Sequence, residues 1–173
     1  MSPAAGPQLE RLDAHHDLTR LDSSNEELDD WLRRRALAAQ QMDSARTFVV
    51  TEQGRVVGYF SLTMGSVVRR DAPAKLGRGL PAYPVGVVLL ARLAVDRRQQ
   101  GRGLGATLLA DSLRKAVAVG EAAAARLVVV DAIDANAARF YERYGFIPAP
   151  EHPRRLYRRM KDIARSLQDA PQR

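Results

Sequence analysis

The residues best placed to do chemistry lie in one run, Asp96-Arg97-Arg98-Gln99-Gln100-Gly101-Arg102-Gly103-Leu104-Gly105-Ala106, where glycines recur at alternate positions. Such spacing lets the backbone turn tightly with its N–H groups facing inward and no side chain in the way. Set before a helix, the turn becomes an anion cradle, suited to a phosphate or pyrophosphate. Glycines alone leave a plain strand-to-helix turn equally open. Two nucleotide loops do not fit. A Walker loop requires Gly-Lys-Ser or Gly-Lys-Thr, and neither occurs in the chain. A dinucleotide loop requires GxGxxG in the first βα unit, whereas this run reads GxGxG and lies in the second half.

Several elements must position that turn. The apolar run PVGVVLLARLAV (84–95) before it predicts a strand covered on both faces, and LGATLLADSLRKAVAVGE after it predicts a helix. A second apolar strand, RLVVVDAI (126–133), leads into a short helix, DANAARFYERYG (134–145), capped by Asp134 and stopped by Gly145. This order implies a partly parallel sheet with helices on its faces. Upstream, Asn25 to Gln41 reads as one helix capped by Asn25, with Leu28, Trp31, Leu32, Ala36 and Ala39 on one stripe. RTFVVTE (46–52) and RVVGYFSLTMGSV, starting at Arg55, are strands joined across Gln53-Gly54 as a hairpin. In the second strand Phe60, Leu62 and Met64 share one face, while Tyr59, Ser61 and Thr63 share the other. Residues 69–84, rich in proline, glycine and basic side chains, read as an exposed loop. A last strand is expected around Leu156 to Met160. The chain then divides into a single domain over residues 1–165 and a frayed tail over 166–173.

Composition narrows the class. The 173 residues carry 27 Lys+Arg against 20 Asp+Glu, a formal net charge of +7. With 46% hydrophobic residues and no fixed-period repeat, the chain can bury a core and is neither disordered nor a solenoid. The absence of cysteine removes disulfides, thiolate zinc sites, iron–sulfur ligation and a cysteine nucleophile together. The histidines, His15, His16 and His152, form no HExxH pair, so no metal site is expected. No apolar stretch is long enough to span a bilayer, and the first residues lack the pattern of a signal peptide. A cytoplasmic protein without a membrane partner is expected.

The segment Arg98-Gln99-Gln100-Gly101-Arg102-Gly103 resembles the R/Q-x-x-G-x-G/A signature of the GNAT acetyltransferases. The likeness extends over residues 84–148, from LARLAVD before the turn to VVVDAI and FYERYGF (Phe140 to Phe146) after it. It implies an α/β GNAT fold, with a mixed central sheet splayed between the strand ending at Val95 and that ending at Ile133, and helices on both faces. It also implies acetyl-CoA in that gap. The pyrophosphate would be held by the turn from Arg98 through Gln100, Gly101, Arg102, Gly103, Leu104 and Gly105 to Ala106. The pantetheine arm would pair with the backbone of Leu93, Ala94 and Val95. A closer resemblance covers almost the whole chain. LDSSNEELDDWLRRRALAAQ, RTFVVTE, VVGYFSLTMGSV, LLARLAVDRRQQGRGLG and AIDANAARFYERYGF look like the GNAT toxins of bacterial type II toxin–antitoxin modules. That likeness implies acetyl transfer to the α-amine of aminoacyl-tRNA, blocking translation, and a small ribbon-helix-helix antitoxin as partner. A homodimer is left open. One departure is Asp134, where many GNAT chains have Asn.

Spacing alone leaves Tyr141 equally open to packing or to chemistry. The resemblance places the family's general acid there, where a phenol could protonate the thiolate expelled when an amine attacks a thioester. Tyr144 is expected to pack. No general base stands out, which suits an α-amine, since such groups titrate at about 7.7–8.0 and are partly neutral at pH 7. Glu26, Glu27 and Asp29 read as a solvated first helical turn. Arg33, Arg34 and Arg92 are the candidate substrate contacts, because a basic surface attracts phosphate backbones. Aromatic residues make up only 6% and are not interleaved with the basic runs, so base stacking is not expected. Two rival readings stand beside this one: acetylation of a protein or small-molecule amine, and a non-catalytic binding module with the same fold.

Overall fold

The structure, a computed structural model, describes residues 6–169. These residues separate into two compact units, one running up to Thr63 and resuming over Arg92–Asp111, the other comprising Met64–Ala91 and the chain from Ser112 onward.

In the first unit, β1 (Gln8–Arg11) pairs antiparallel with β2 (Arg46–Glu52), which pairs antiparallel with β3 (Arg55–Val67). The β2–β3 turn is the expected hairpin: Gln53 and Gly54 both take positive φ, 51° and 77°, as a two-residue primed turn requires. Helix α1 (Glu26–Arg34) begins at Asn25, whose side chain accepts the Leu28 N–H at 2.9 Å. Such a cap is worth about 1 kcal/mol. The single helix expected through Gln41 is broken at Arg35, and α2 (Ala36–Gln41) follows as a separate piece. Its direction is set by Gln40, whose amide donates to the Leu12 carbonyl (2.7 Å) and accepts the Thr47 N–H (3.1 Å). The bend brings Leu37, as well as the fully buried Ala36, onto a core of Leu12, Leu21, Leu28, Leu32, Val49, Val56, Tyr59 and Ala94.

The alternation read along β3 does not separate a wet from a dry face, because every residue from Val56 to Leu62 is buried. Only beyond that point does the strand reach solvent, with Met64 50% exposed.

The second unit contains a 3-10 turn (Arg69–Asp71), α3 (Ala74–Gly77), β5 (Leu127–Asp131), α5 (Ala135–Arg143), β6 (Ile147–Pro148), β7 (Arg155–Arg159) and α6 (Met160–Asp169). The segment 69–84 is not simply an exposed loop. Ala72, Leu76 and Leu80 are buried with Val67, Val85, Val87, Leu127, Val129, Ala149 and Tyr157 in this unit's core. The stretch is anchored through its apolar side chains while Arg69, Arg70, Lys75 and Arg78 stay wet. Helix α6 runs through Asp169, past the boundary expected at 165, because Met160 and Ile163 bury one of its faces. The remaining tail residues, 170–173, lie outside the described residues.

Strand β4 (Val85–Val95) and helix α4 (Leu104–Ala123) each continue from one unit into the other, as β3 does. Strand order is β1-β2-β3-β4-β5-β7-β6, with β4 and β5 parallel and the β5–β7 and β6–β7 pairs antiparallel. The sheet is therefore mixed and open. Pairing of β4 with β5 covers Val87 to Leu90 and ends there, so the last residues of β4 extend past it. Among the described residues no helix is long and apolar enough to cross a membrane.

Candidate active site

The glycine turn leaves the end of β4 at Asp96, a carboxylate only 2% exposed. Its oxygens accept the Asp22 N–H (3.2 Å), the Arg98 N–H (2.9 Å) and the Arg98 Nε–H (3.2 Å). Burial alone would raise its pKa, but these hydrogen bonds and the Arg98 charge outweigh burial and hold the carboxyl below its usual range. The turn is clasped again one step on: Gln100 Nε2 donates to the Val95 carbonyl (2.9 Å) and the Ser23 carbonyl (3.1 Å). Gln99 reaches Glu52 at 2.7 Å. The guanidinium and the backbone N–H of Arg98 are thus both committed to Asp96.

Beyond the clasp the backbone turns through Gly101 and Gly103 at φ of 78° and 83°, a region that costs a residue with a Cβ about 1–2 kcal/mol. A Cβ added at either glycine meets no atom within 4 Å, so the requirement for glycine in the free protein is conformational and the space before the turn is open. Gly101, Arg102 and Gly103 are exposed. Leu104, Gly105 and Ala106 open the 20-residue helix α4, where the first N–H groups have no intrahelical acceptor and the dipole favours an anion. Within the first unit the seating of this helix depends on Gly58 of β3, where an added Cβ would come within 2.9 Å of Leu108 Cδ1 and 3.2 Å of the Ala94 carbonyl. Open ground, N–H groups without an intrahelical acceptor and a helix N-terminus fit a pyrophosphate. Leu93 is half-buried before the turn, and Ala94 and Val95 are buried.

Of the arginines proposed for the substrate, Arg34 and Arg92 share a depression of about 470 Å³ with Glu27, Asp30, Trp31 and Arg35. The Arg92 guanidinium stacks 4.0 Å above the Trp31 ring. Arg33 does not line it, donating instead to Asp30 (3.1 Å) and the Leu21 carbonyl (3.4 Å). Asp29 is not part of a solvated first turn. It is 6% exposed and accepts the Ser23 hydroxyl at 2.6 Å, pinning the chain entering α1. Glu26 and Glu27 are exposed, as expected.

In the second unit, Tyr141 of α5 is 6% exposed, its ring edge-on to Phe140 (5.3 Å) and Phe146 (5.8 Å). Burial pushes its phenol well above the ordinary tyrosine range, so it is protonated at any physiological pH. Tyr144, expected to pack, caps α5 with its ring edge-on to Phe140 at 5.1 Å while remaining 40% exposed. Asp134 accepts the Ala137 N–H at 2.8 Å, which makes it a helix cap. Asp96 is the residue with the largest structural role to which the sequence reading gave none. The only signal available was an acid placed directly after a long apolar run.

Residues 12–146 match the acetyltransferase (GNAT) family. The chain is 42% identical over 167 residues to a tRNA-acetylating toxin of Mycobacterium tuberculosis, covering 96% of this chain and 98% of that one. Among solved structures it is similar to AtaT complexed with acetyl-methionyl-tRNAfMet, with a TM-score of 0.85 and 28% identity over 92% of this chain and 98% of that one. It is similar also to a tyrosine-to-phenylalanine variant of AtaT bound to the C-terminus of the antitoxin AtaR and to acetyl-CoA, with a TM-score of 0.82 and 27% identity over 95% of this chain and 100% of that one. Fold, glycine turn and family match agree, and the chain belongs to the GNAT acetyltransferase family.

Proposed function

We infer that this protein is the toxin of a toxin–antitoxin module, transferring acetyl from acetyl-CoA to the α-amine of aminoacyl-tRNA and thereby blocking translation. The observation that carries this reading is the end-to-end likeness to a relative named for that reaction, joined here to an intact Gly101–Gly103 turn at the start of α4. The reaction places it in the cytoplasm, where charged tRNA is found. Its partner is an antitoxin, which we assign to the ribbon-helix-helix class by resemblance, and a homodimer is compatible with the fold.

Acetyl-CoA, when bound, supplies the acetyl group as a thioester whose aminolysis releases the CoA thiol. The backbone N–H groups from Gly101 to Ala106 are assigned to the pyrophosphate, and the backbone of Leu93, Ala94 and Val95 to the pantetheine arm. Tyr141 Oη is assigned the hydrogen bond to the sulfur as it leaves. A thiol titrates near 8.5 and an ordinary tyrosine near 10, so full proton transfer from Tyr141 would run uphill by about 2 kcal/mol, and by more when the phenol is buried. Its contribution is therefore a strong hydrogen bond to developing charge. No protein base is needed for an α-amine that is partly neutral at pH 7. Arg34 and Arg92 supply positive charge for RNA phosphates, and Arg33 contributes less because its guanidinium is occupied.

The test is incubation of the pure protein with labelled acetyl-CoA and total charged tRNA, with a deacylated aliquot in parallel. Label should enter RNA only when the RNA is charged. Label on protein or on small amines instead would overturn the reading.

A further inference from the structure

Away from the glycine turn, the chain after β1 gathers three side chains that bind metals. Glu10 stands on β1, and His15 and His16 lie in the turn that follows. One donor atom from each lies within 4.8 Å of the other two. The two imidazoles stack with centroids 4.3 Å apart, and Glu10 Oε2 sits 2.7 Å from His16 Nε2. The His16 side chain is 3% exposed, so this part of the cluster is held in place rather than waving in solvent.

Asp13 arranges both imidazoles for ligation. Its carboxylate lies 3.2 Å from His15 Nδ1, which keeps the proton on that nitrogen and leaves Nε2 with a bare lone pair. A carboxylate behind a histidine is the usual outer support of a metal-binding imidazole. The Asp13 carbonyl lies 3.2 Å from His16 Nδ1, while the Asp13 N–H lies 2.9 Å from the same nitrogen. His16 is therefore fully satisfied with its proton on Nε2, where Nδ1 accepts the Asp13 N–H. The other tautomer sets two acceptors, Nε2 and the Glu10 carboxylate, face to face, an arrangement that a cation would satisfy. With its proton on Nε2 it donates to Glu10, and with its proton on Nδ1 it donates to the Asp13 carbonyl and turns a bare Nε2 toward the Glu10 carboxylate.

We propose that Glu10, His15 and His16 form a binding site for a divalent transition-metal ion of the zinc class. Two imidazoles and one carboxylate are a familiar three-ligand set for zinc, with water in the fourth position. Two nitrogen donors select against magnesium and calcium, which take oxygen. Metal–ligand distances of about 2.0–2.2 Å require the donors to stand closer together than 4.8 Å. The adjustment falls to His15, whose side chain is 71% exposed. A bound ion would tie the turn back onto β1, which lies at one edge of the sheet and pairs with β2 alone. The sequence gives little notice of such a site, because E-x4-H-H matches no metal motif and the carboxylate joins the histidines only through the turn.

The test uses the full chain without a histidine tag. Calorimetric titration with zinc chloride should give one equivalent bound, and magnesium chloride should give none. His15→Ala, at an exposed position, should abolish stoichiometric zinc binding, and Asp13→Asn should weaken it by about 10–100-fold. Cobalt(II) added to the parent protein should broaden the imidazole NMR signals of His15 and His16 before that of His152, a reading that needs no variant. Absence of one-to-one zinc binding, unchanged binding by His15→Ala, or first broadening at His152 would each overturn the proposal.

Discussion

Replacing Tyr141 by phenylalanine removes one oxygen from a ring whose contacts with Phe140 and Phe146 are made by carbon. Fold and cofactor affinity should survive, with stability altered by no more than about 1 kcal/mol. The rate should not survive. Because full proton transfer to a thiolate is uphill from a buried phenol, the loss is that of one strong hydrogen bond in a dry site, about 3–4 kcal/mol. That corresponds to a fall in kcat of roughly 10²–10³, since each 1.36 kcal/mol is tenfold. Single-turnover acetylation of charged tRNA reads the step directly. Tyr144→Phe, at a 40% exposed position, should retain the parent rate.

The pH dependence gives an independent check on the same residue. Burial raises the folded phenol above its unfolded value, so the folded chain keeps a proton that the unfolded chain releases. The contribution is constant below about pH 10 and is lost as pH rises beyond it, at about 1.4 kcal/mol per pH unit. Tyr141→Phe should flatten that part of the alkaline unfolding curve. An unchanged turnover rate in the variant, with charged tRNA as acceptor, would refute the assignment even with the fold correct.

Gly103→Val should lower stability by about 1–2 kcal/mol through its positive φ and should weaken acetyl-CoA binding, as read by calorimetry; undiminished affinity in a folded protein would sink the cradle reading. Asp96→Asn should cost about 1–3 kcal/mol, because an amide nitrogen must then face an N–H donor. In the parent protein the Asp96 contribution is present above about pH 4 and is lost as pH falls through its lowered folded pKa, so acid unfolding of the variant should lack that slope. Affinity for charged tRNA should fall steeply with salt, by a log–log slope of about −0.7 to −0.9 per phosphate contact, and charge reversal at Arg34 and Arg92 should weaken binding and flatten the slope. Reversal at Arg33 should do less, and a binding constant indifferent to salt would point to a small-molecule acceptor.

What could be read from the sequence was local. The caps at Asn25 and Asp134 satisfy N–H groups three residues away, and the Gln53-Gly54 turn is specified by its own two residues. What escaped reading depends on partners distant along the chain. The bend at Arg35 has no glycine or proline to announce it, and follows from Gln40 bonding to Leu12 and Thr47. Asp29 looked wet because acids belong in a first helical turn, yet Ser23 folds back over it. The prolines and glycines of residues 69–84 are typical of loop and mask the apolar side chains among them. Ala72, Leu76 and Leu80 recur at four-residue spacing and mark the face that goes inside.

The candidate site divides in the same way, and the division bears on how it works. Glycines at 101 and 103 are legible because the constraint is on their own backbone. The clasp that fixes the turn is not, since it joins Asp96 and Gln100 to Asp22 and Ser23, more than 70 residues earlier. A turn held only by its glycines would be mobile and would lose entropy whenever an anion ordered it. Here a buried carboxylate and an amide fix the stretch from Val95 to Gln100 first, with Arg98 spent on that task. The N–H groups beyond it are thus aimed before any ligand arrives, so binding energy is not consumed in ordering them. On this argument Arg98 of the signature serves the cofactor by stiffening the turn. Arg98→Ala should then weaken acetyl-CoA binding together with stability, and a loss of affinity with stability unchanged would mean that the guanidinium contacts the ligand itself.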